Sequence, residues 1–200
     1  MKKILTLPVS EEEIRTLKVG DIFWLTGTLA TGRDDVHRRV CGEGKESPFN
    51  FRDMAIYHAG PIVKTSAGGY EIVSVGPTTS MRMEKYAADF IEKTGVRIMI
   101  GKGGMGDKTA AACKEYGAVH CVCPGGCAVS GALQIKEVKT VFWSELGMPE
   151  AMWVLEAEEF GPLIVSIDAQ GRSMLADNRE MIASRINAGE KPVLDSVKDF

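Results

Sequence analysis

The chain has 200 residues, 44% of them hydrophobic and 26% charged, with a formal net charge of −3. Those values describe a folded, water-soluble chain with one sizeable core. They exclude bulk attraction to nucleic acid or to an anionic membrane surface. The opening MKKILTLPVSEEE turns acidic too soon for a secretory signal, and no later run approaches a membrane span. Five cysteines, an odd number with three of them between residues 121 and 127, fit a reducing cytoplasm rather than a disulfide framework. Residues 1–200 read as one α/β domain.

In chain order, Ser10-Glu11-Glu12-Glu13 forms a capping box that opens a short helix ending near Leu17. Gly20-Asp21 turns the chain into an apolar strand over residues 22–25. Gly27 and Gly32 of TGTLATGRDDVHRR then bracket a loop before a helix carrying Arg33, Asp34 and His37. EGKESPFNF (43–51) is a polar, exposed connection. Residues 54–63 and 70–75 read as strands joined by the SAGG turn at 66–69.

The middle of the chain is the most regular. EIVSV (71–75), VRIMI (96–100) and AVHCVC (118–123) alternate with helical runs ending at Lys93 and Tyr116, which predicts a parallel βαβαβ unit with right-handed crossovers. VKTVFW follows as a strand. AMWVLEAEEF and PLIVSIDAQG are read as strands of a separate layer with a turn at Gly171. A last helix covers 178–187 and leads into a polar tail.

Each strand of the parallel unit runs into a glycine-containing loop: GPTTS, GKGGMG and PGGCA. In open α/β sheets ligands bind at that edge. A helix starting at Thr78 or Thr79 would present free N–H groups to an anion, with Arg82 one turn on and Lys102 in the adjacent loop. These groups could converge on a small carboxylate or phosphate; the alternative is that Arg82 and Lys102 are solvated surface charges. GKGG lacks the G-x-x-x-x-G-K-[ST] pattern, so nucleoside triphosphate binding has little support, and no G-x-G-x-x-G follows a strand, which argues against a hydride-transfer enzyme. In TGRDDVH, Arg33, Asp34 and His37 could present a charged fork to a ligand; the first reading of Asp34 is a cap and of His37 a packed histidine. Arg33 is the stronger ligand candidate, because Gly32 before it would let a ligand come close.

HCVCPGGCAVSG looks like a soft metal site. On a strand, however, Cys121 and Cys123 share one face while His120 points to the other. The Cys-x-Cys-x3-Cys spacing matches neither zinc ribbons nor ferredoxins. Packing in or near the core is the first reading, with a metal site or a redox thiol as alternatives.

In order, TGTLATGRDDVH, IYHAGP, SVGPTTSMRM, IGKGG and PGGCA resemble the beta-type half of the iron–sulfur-dependent hydro-lyases, the class I fumarases and L(+)-tartrate dehydratases. The similarity continues through AMWVLEAEEFGPLIVSIDAQG and so spans nearly the whole chain. TGRDxxH, GPTTxxRM and the GKG loop in fixed order are a specific set, although each alone is weak. Members consist of one long chain or of two subunits, and this chain resembles the separate beta subunit. The resemblance implies a swivelling β/β/α domain with a parallel βαβαβ unit and β-rich flanks.

It also implies a division of labour within a cytoplasmic heteromer, a heterotetramer. An alpha subunit would hold a [4Fe–4S] cluster through three cysteines of its own, with the open iron acting as a Lewis acid on the substrate. No metal ligand is then expected on this chain, and the CPGGCA cysteines depart from the family pattern. Carried across by motif, Arg33, Arg82 and Lys102 would clamp the carboxylates of a small dicarboxylate. Thr78 would move the C3 proton with help from nearby cations, and Thr79 is an adjacent alternative. Reversible hydration of fumarate to malate is the leading expectation. Dehydration of L(+)-tartrate or a related 2-hydroxy diacid is the rival, and a stand-alone anion- or metal-binding module is the alternative from another class.

Overall fold

The computed structural model describes residues 2–66 and 69–188. The centre of the SAGG turn and the polar tail lie outside the described residues. β1 (Ile4–Thr6) leads to α1 (Glu11–Thr16), whose first turn is capped by Ser10 accepting the Glu13 N–H at 3.1 Å. β2 (Ile22–Thr31) buries Phe23, Leu25 and Leu29 on alternate positions, the period that marks a half-buried strand. The strand runs through TGTLAT, which the sequence presents as a loop. A Cβ at Gly27 would come within 3.0 Å of the Leu7 backbone, so that glycine admits a neighbouring segment rather than opening a turn.

After α2 (Asp34–His37) and a π-helical turn come β3 (Ala55–Tyr57) and the hairpin of β4 (Ile62–Ser66) and β5 (Gly69–Ser74). A 3-10 turn at Ser80–Met83 runs into α3 (Glu84–Thr94). β6 (Ile98–Gly101), α4 (Asp107–Tyr116), β7 (Val119–Val122) and α5 (Ala128–Leu133) follow. β8 (Ile135–Phe142), β9 (Met152–Ile167) and α6 (Met174–Asn187) complete the described chain.

The fold is mixed α/β, built on a seven-stranded sheet in the order β1-β2-β3-β6-β7-β9-β8. Strands β1, β2, β3, β6 and β7 are mutually parallel. The parallel unit is present, but its first strand is β3 rather than residues 71–75, which lie instead in the β4–β5 hairpin. β3 is three residues long and buried at each, so it carries no alternation for a sequence reading to detect.

The second difference is β9. AMWVLEAEEF and PLIVSIDAQG form one strand of 16 residues inside the main sheet, not a separate layer. It pairs antiparallel with β8, β7 and β2. Because β2 also pairs with β3, these contacts curl the sheet back on itself. Glu159 in the left-handed region (φ 50°) and several register shifts let one strand follow that curve.

Two apolar clusters result, one on each side of the sheet. Phe23, Leu25, Tyr57, Ile98, Ile100, Cys121, Phe160 and Leu163 fill the first. Val36, Phe51, Ile56, Phe90, Met99, Cys113 and Ile167 pack the other side against the helices. Single-residue alternation along β6 (Ile98 and Ile100 against Met99) divides the strand between them. Because β3, β6 and β7 run parallel, their carboxyl ends lie on one edge.

Candidate active site

The carboxyl ends of β3, β6 and β7 open into the segments HAGP, GKGG and PGG. The GPTTS segment is laid across the first two by backbone hydrogen bonds. The Thr78 N–H donates to the His58 carbonyl at 2.7 Å, and the Lys102 N–H donates to the Thr78 carbonyl at 3.0 Å. The Ser80 N–H donates to the Lys102 carbonyl at 3.0 Å, so Thr79 and Lys102 form a parallel bridge. A Cβ added at Gly125 would sit 3.9 Å from Lys102 Cδ, placing the PGG turn beside that side chain.

This differs from the expected helix N-terminus. The helical turn starts at Ser80, and the N–H groups of Thr78 and Ser80 are bound to protein carbonyls. The polar groups this edge presents are therefore mainly side chains.

Arg82 does reach back one turn. Its Nη1 donates to Thr78 Oγ1 at 3.4 Å, while its Nε donates to Asp34 Oδ1 at 3.2 Å and its Nη2 contacts Asp34 Oδ2. The guanidinium therefore grips a carboxylate with its fork and a hydroxyl with the remaining nitrogen. Asp34 is no helix cap: Arg33 holds the N-cap position, without a side-chain cap bond. Asp34 instead joins the TGRDDVH segment to the GPTTS segment, a role that sequence spacing did not reveal.

Arg33 Nε lies 3.1 Å from Glu150 Oε1, and Glu150 Oε2 accepts the Asp35 N–H at 3.1 Å. The pair is about four-fifths buried, with side-chain exposures of 23% and 20%. A Cβ at Gly60 would fall 2.7 Å from Arg33 Nη1 and 2.6 Å from the Pro149 carbonyl, so the guanidinium passes directly over that glycine. Gly32 does not open a path for a ligand. It is buried, and a Cβ there would press on Ile56 Cδ1 at 2.7 Å.

Glu84 is a further contributor that sequence reading missed. Its carboxylate accepts the Gly106 N–H at 2.7 Å, the Thr109 N–H at 3.3 Å and the Thr109 hydroxyl at 2.6 Å. It thereby fastens the far end of the GKGGMG loop to the start of α3. An open groove lined by Met81, Arg82, Glu84, Lys85, Asp107 and Lys108 runs alongside.

All three histidines of the chain are fully buried. His37 Nδ1 donates to the Arg33 carbonyl at 2.8 Å, and its ring packs on Phe90, in keeping with the packed-histidine reading. Burial lowers its pKa to about 4 and that of His120 to about 3. His58 is also held well below the ordinary histidine value, first by burial and then by His37 and His120.

The cysteines divide by depth. Cys121 is fully buried, and burial holds its thiol well above the ordinary value. Cys123 is half-buried against the core and likewise raised, despite a hydrogen bond with Tyr57. Cys127 is exposed, so the packing expectation fails for that residue. Among the described residues no group of three or more His, Cys, Asp and Glu side chains is arranged to hold a metal ion. Cys121, Cys123 and Cys127 thus differ in depth and are not grouped as ligands. Nor is any helix among the described residues long and apolar enough to cross a membrane.

A family model described as Fumarase C-terminus matches residues 2–178, and the chain belongs to that family. It is 50% identical over 185 residues to the L(+)-tartrate dehydratase subunit beta of Escherichia coli, covering 92% of each chain. It is 39% identical over 183 residues to the "Putative L(+)-tartrate dehydratase subunit beta" of Methanocaldococcus jannaschii, covering 90% of this chain and 94% of that one. Against the "Putative fumarate hydratase class I" of Geobacillus stearothermophilus it is 38% identical over 195 residues, covering 96% of this chain and 37% of the longer protein. Enzymes of these names are hydro-lyases, and this chain is a beta-type member of that class.

Proposed function

We propose that the chain is the beta subunit of a two-component hydro-lyase acting on a small 2-hydroxy dicarboxylate, with a partner alpha subunit carrying the iron–sulfur cluster. The carrying observation is Arg82, whose fork holds a carboxylate while its third nitrogen reaches Thr78 Oγ1. The relative at 50% identity supports L(+)-tartrate as substrate. The 38% relative supports the second reading, hydration of fumarate to malate.

The side chains divide the work as follows. The Asp34–Arg82 pair is half-exposed, with side-chain exposures of 37% and 46%. Solvent screening leaves such a pair worth about 0–1 kcal/mol, so a substrate carboxylate can take the place of Asp34 on the same fork. Lys102, exposed on the neighbouring loop, supplies a point charge for the other carboxylate. Arg33, neutralised by Glu150, adds a further donor at the rim of the site.

Thr78 Oγ1 exchanges the proton on the carbon adjacent to the hydroxyl-bearing carbon. In dehydration the Thr78 alkoxide takes that proton as hydroxide leaves the neighbouring carbon. The resulting hydroxyl gives the proton to the hydroxide, releasing water and restoring the alkoxide; hydration is the reverse. A threonine alkoxide is costly, and the Arg82 cation at 3.4 Å lowers that cost. The contact with Arg82 favours Thr78 over Thr79 for this role.

The partner reading is supported by the "subunit beta" names of the relatives. A cytoplasmic heterotetramer of paired subunits is the assembly proposed. The test is to purify the chain alone and with a cluster-bearing partner under anaerobic conditions, assaying tartrate, malate and fumarate. Activity confined to the complex supports the reading; activity or stoichiometric iron in the isolated chain overturns it.

A further inference from the structure

Directly behind Thr78 and Lys102 lies a buried polar knot that the proposed chemistry leaves unused. His58 and Ser80 are both fully buried. His58 is tied three ways: its N–H donates to the Ile100 carbonyl at 2.7 Å, its carbonyl accepts the Thr78 N–H at 2.7 Å, and its Nδ1 lies 2.9 Å from Ser80 Oγ. Ser80 in turn donates its N–H to the Lys102 carbonyl at 3.0 Å. The two residues thus hold the backbone of both Thr78 and Lys102.

Gly101 makes this possible. A Cβ there would lie 1.9 Å from Ser80 Oγ and 3.2 Å from His58 Nδ1, so the serine hydroxyl occupies the volume of a side chain. The knot also extends to the arginine side of the site. The His58 ring meets the His37 ring edge-on at 5.1 Å, and His37 donates to the Arg33 carbonyl at 2.8 Å. Among the described residues His58 Nε2 has no hydrogen-bond partner, so the ring's one polar contact is the one to Ser80.

We infer that the His58–Ser80 pair, seated against Gly101, is a positioning device that sets the Thr78 hydroxyl relative to Lys102 for proton transfer. This rests on the reading that Thr78 and Lys102 act at the site. A displacement of about 1 Å in a reacting group can cost about 100-fold in rate, so a fixed turn has kinetic value beyond its stability.

The test uses the beta subunit in complex with its cluster-bearing partner, with the variants Ser80→Ala, His58→Leu, His58→Asn and Thr78→Val. An asparagine amide reaches the position of imidazole Nδ1 and can keep the bond to Ser80. Ser80→Ala and His58→Leu are expected to lower kcat about 10- to 100-fold with KM within about two-fold, and His58→Asn to recover to within about three-fold of the parent. In the isolated subunit, Ser80→Ala should also shift the His58 Nδ1 resonance and speed amide exchange at Thr78 and Lys102. An unchanged kcat in folded Ser80→Ala, or no recovery in His58→Asn relative to His58→Leu, overturns the positioning role. An inactive Thr78→Val beside an active Ser80→Ala defeats this inference alone, whereas an active Thr78→Val defeats the reading of the site on which it rests.

Discussion

The carboxylate of Asp34 sits in the guanidinium fork of Arg82, 48 residues further along the chain, with Arg82 Nε 3.2 Å from Asp34 Oδ1. The pair joins two segments that share no secondary-structure element. It also occupies the one fork that stands beside a candidate proton-transfer hydroxyl. On the proposed function Asp34 is a resident competitor for the substrate carboxylate. Asp34→Asn should lower KM by about 1.5- to 5-fold while changing stability by less than about 1 kcal/mol, the range for an exposed ion pair. Steady-state kinetics and denaturant unfolding check both halves; a raised KM would show that Asp34 orients Arg82 instead.

Arg82 itself should be indispensable. Arg82→Ala is expected to reduce kcat/KM of the complex by at least about 100-fold, because a desolvated carboxylate loses its bidentate partner. Arg82→Lys should restore little of it, since a point charge cannot span both carboxylate oxygens and reach Thr78. The iron content and visible spectrum of the complex should be unchanged in both; loss of iron would contradict the assigned role.

The buried histidines predict a pH dependence of folding. Their folded-state pKa values lie below the ordinary 6.5, at about 4 for His37 and about 3 for His120. Above pH 6.5 both folded and unfolded chains hold these rings neutral, so they add no pH dependence. As pH falls below 6.5 the unfolded chain takes up protons that the folded chain refuses, and stability declines until the folded pKa is reached. The slope is on the order of 1 kcal/mol per pH unit for each histidine. Urea unfolding at pH 7.5, 6 and 5 should show this decline, and the window from 6.5 to 5 precedes most carboxylate titration. A flat profile there would contradict neutral burial.

The cysteines predict a separation by depth. Cys123→Ser and Cys127→Ser should leave the iron content of the complex intact. Cys121→Ser should destabilise the chain by about 1–3 kcal/mol, because it places a hydroxyl within an apolar cluster. Iron analysis and thermal unfolding distinguish the two effects, and iron loss in the double variant at 123 and 127 would revive a metal role.

Much of the site edge was legible in sequence because glycine loops at strand ends are local signals. GPTTS, GKGG and PGG occur where a short apolar run stops, and the structure brings all three together around Lys102. What escaped was non-local. β3 is too short and too evenly buried to show a period, so the sequence alone places the first strand of the parallel unit at the exposed strand β5. β9 contains Gly161-Pro162, which reads as a break, yet the curled sheet accommodates the pair within one strand. The Asp34–Arg82 pair, the Glu84 fastening and the His58–Ser80 knot depend on how distant segments meet, and no spacing rule along the chain encodes them.

The proposed division of labour gives this chain the substrate-holding and proton-transfer groups but not the metal. Its most direct test is iron content and turnover measured side by side, anaerobically, on the isolated chain and on its complex with a cluster-bearing partner. No stoichiometric iron and no turnover are expected for the chain alone, with tartrate or malate dehydration appearing only in the complex and lost in Thr78→Val. Stoichiometric iron bound by the isolated chain, or turnover without the partner, would contradict that division of labour.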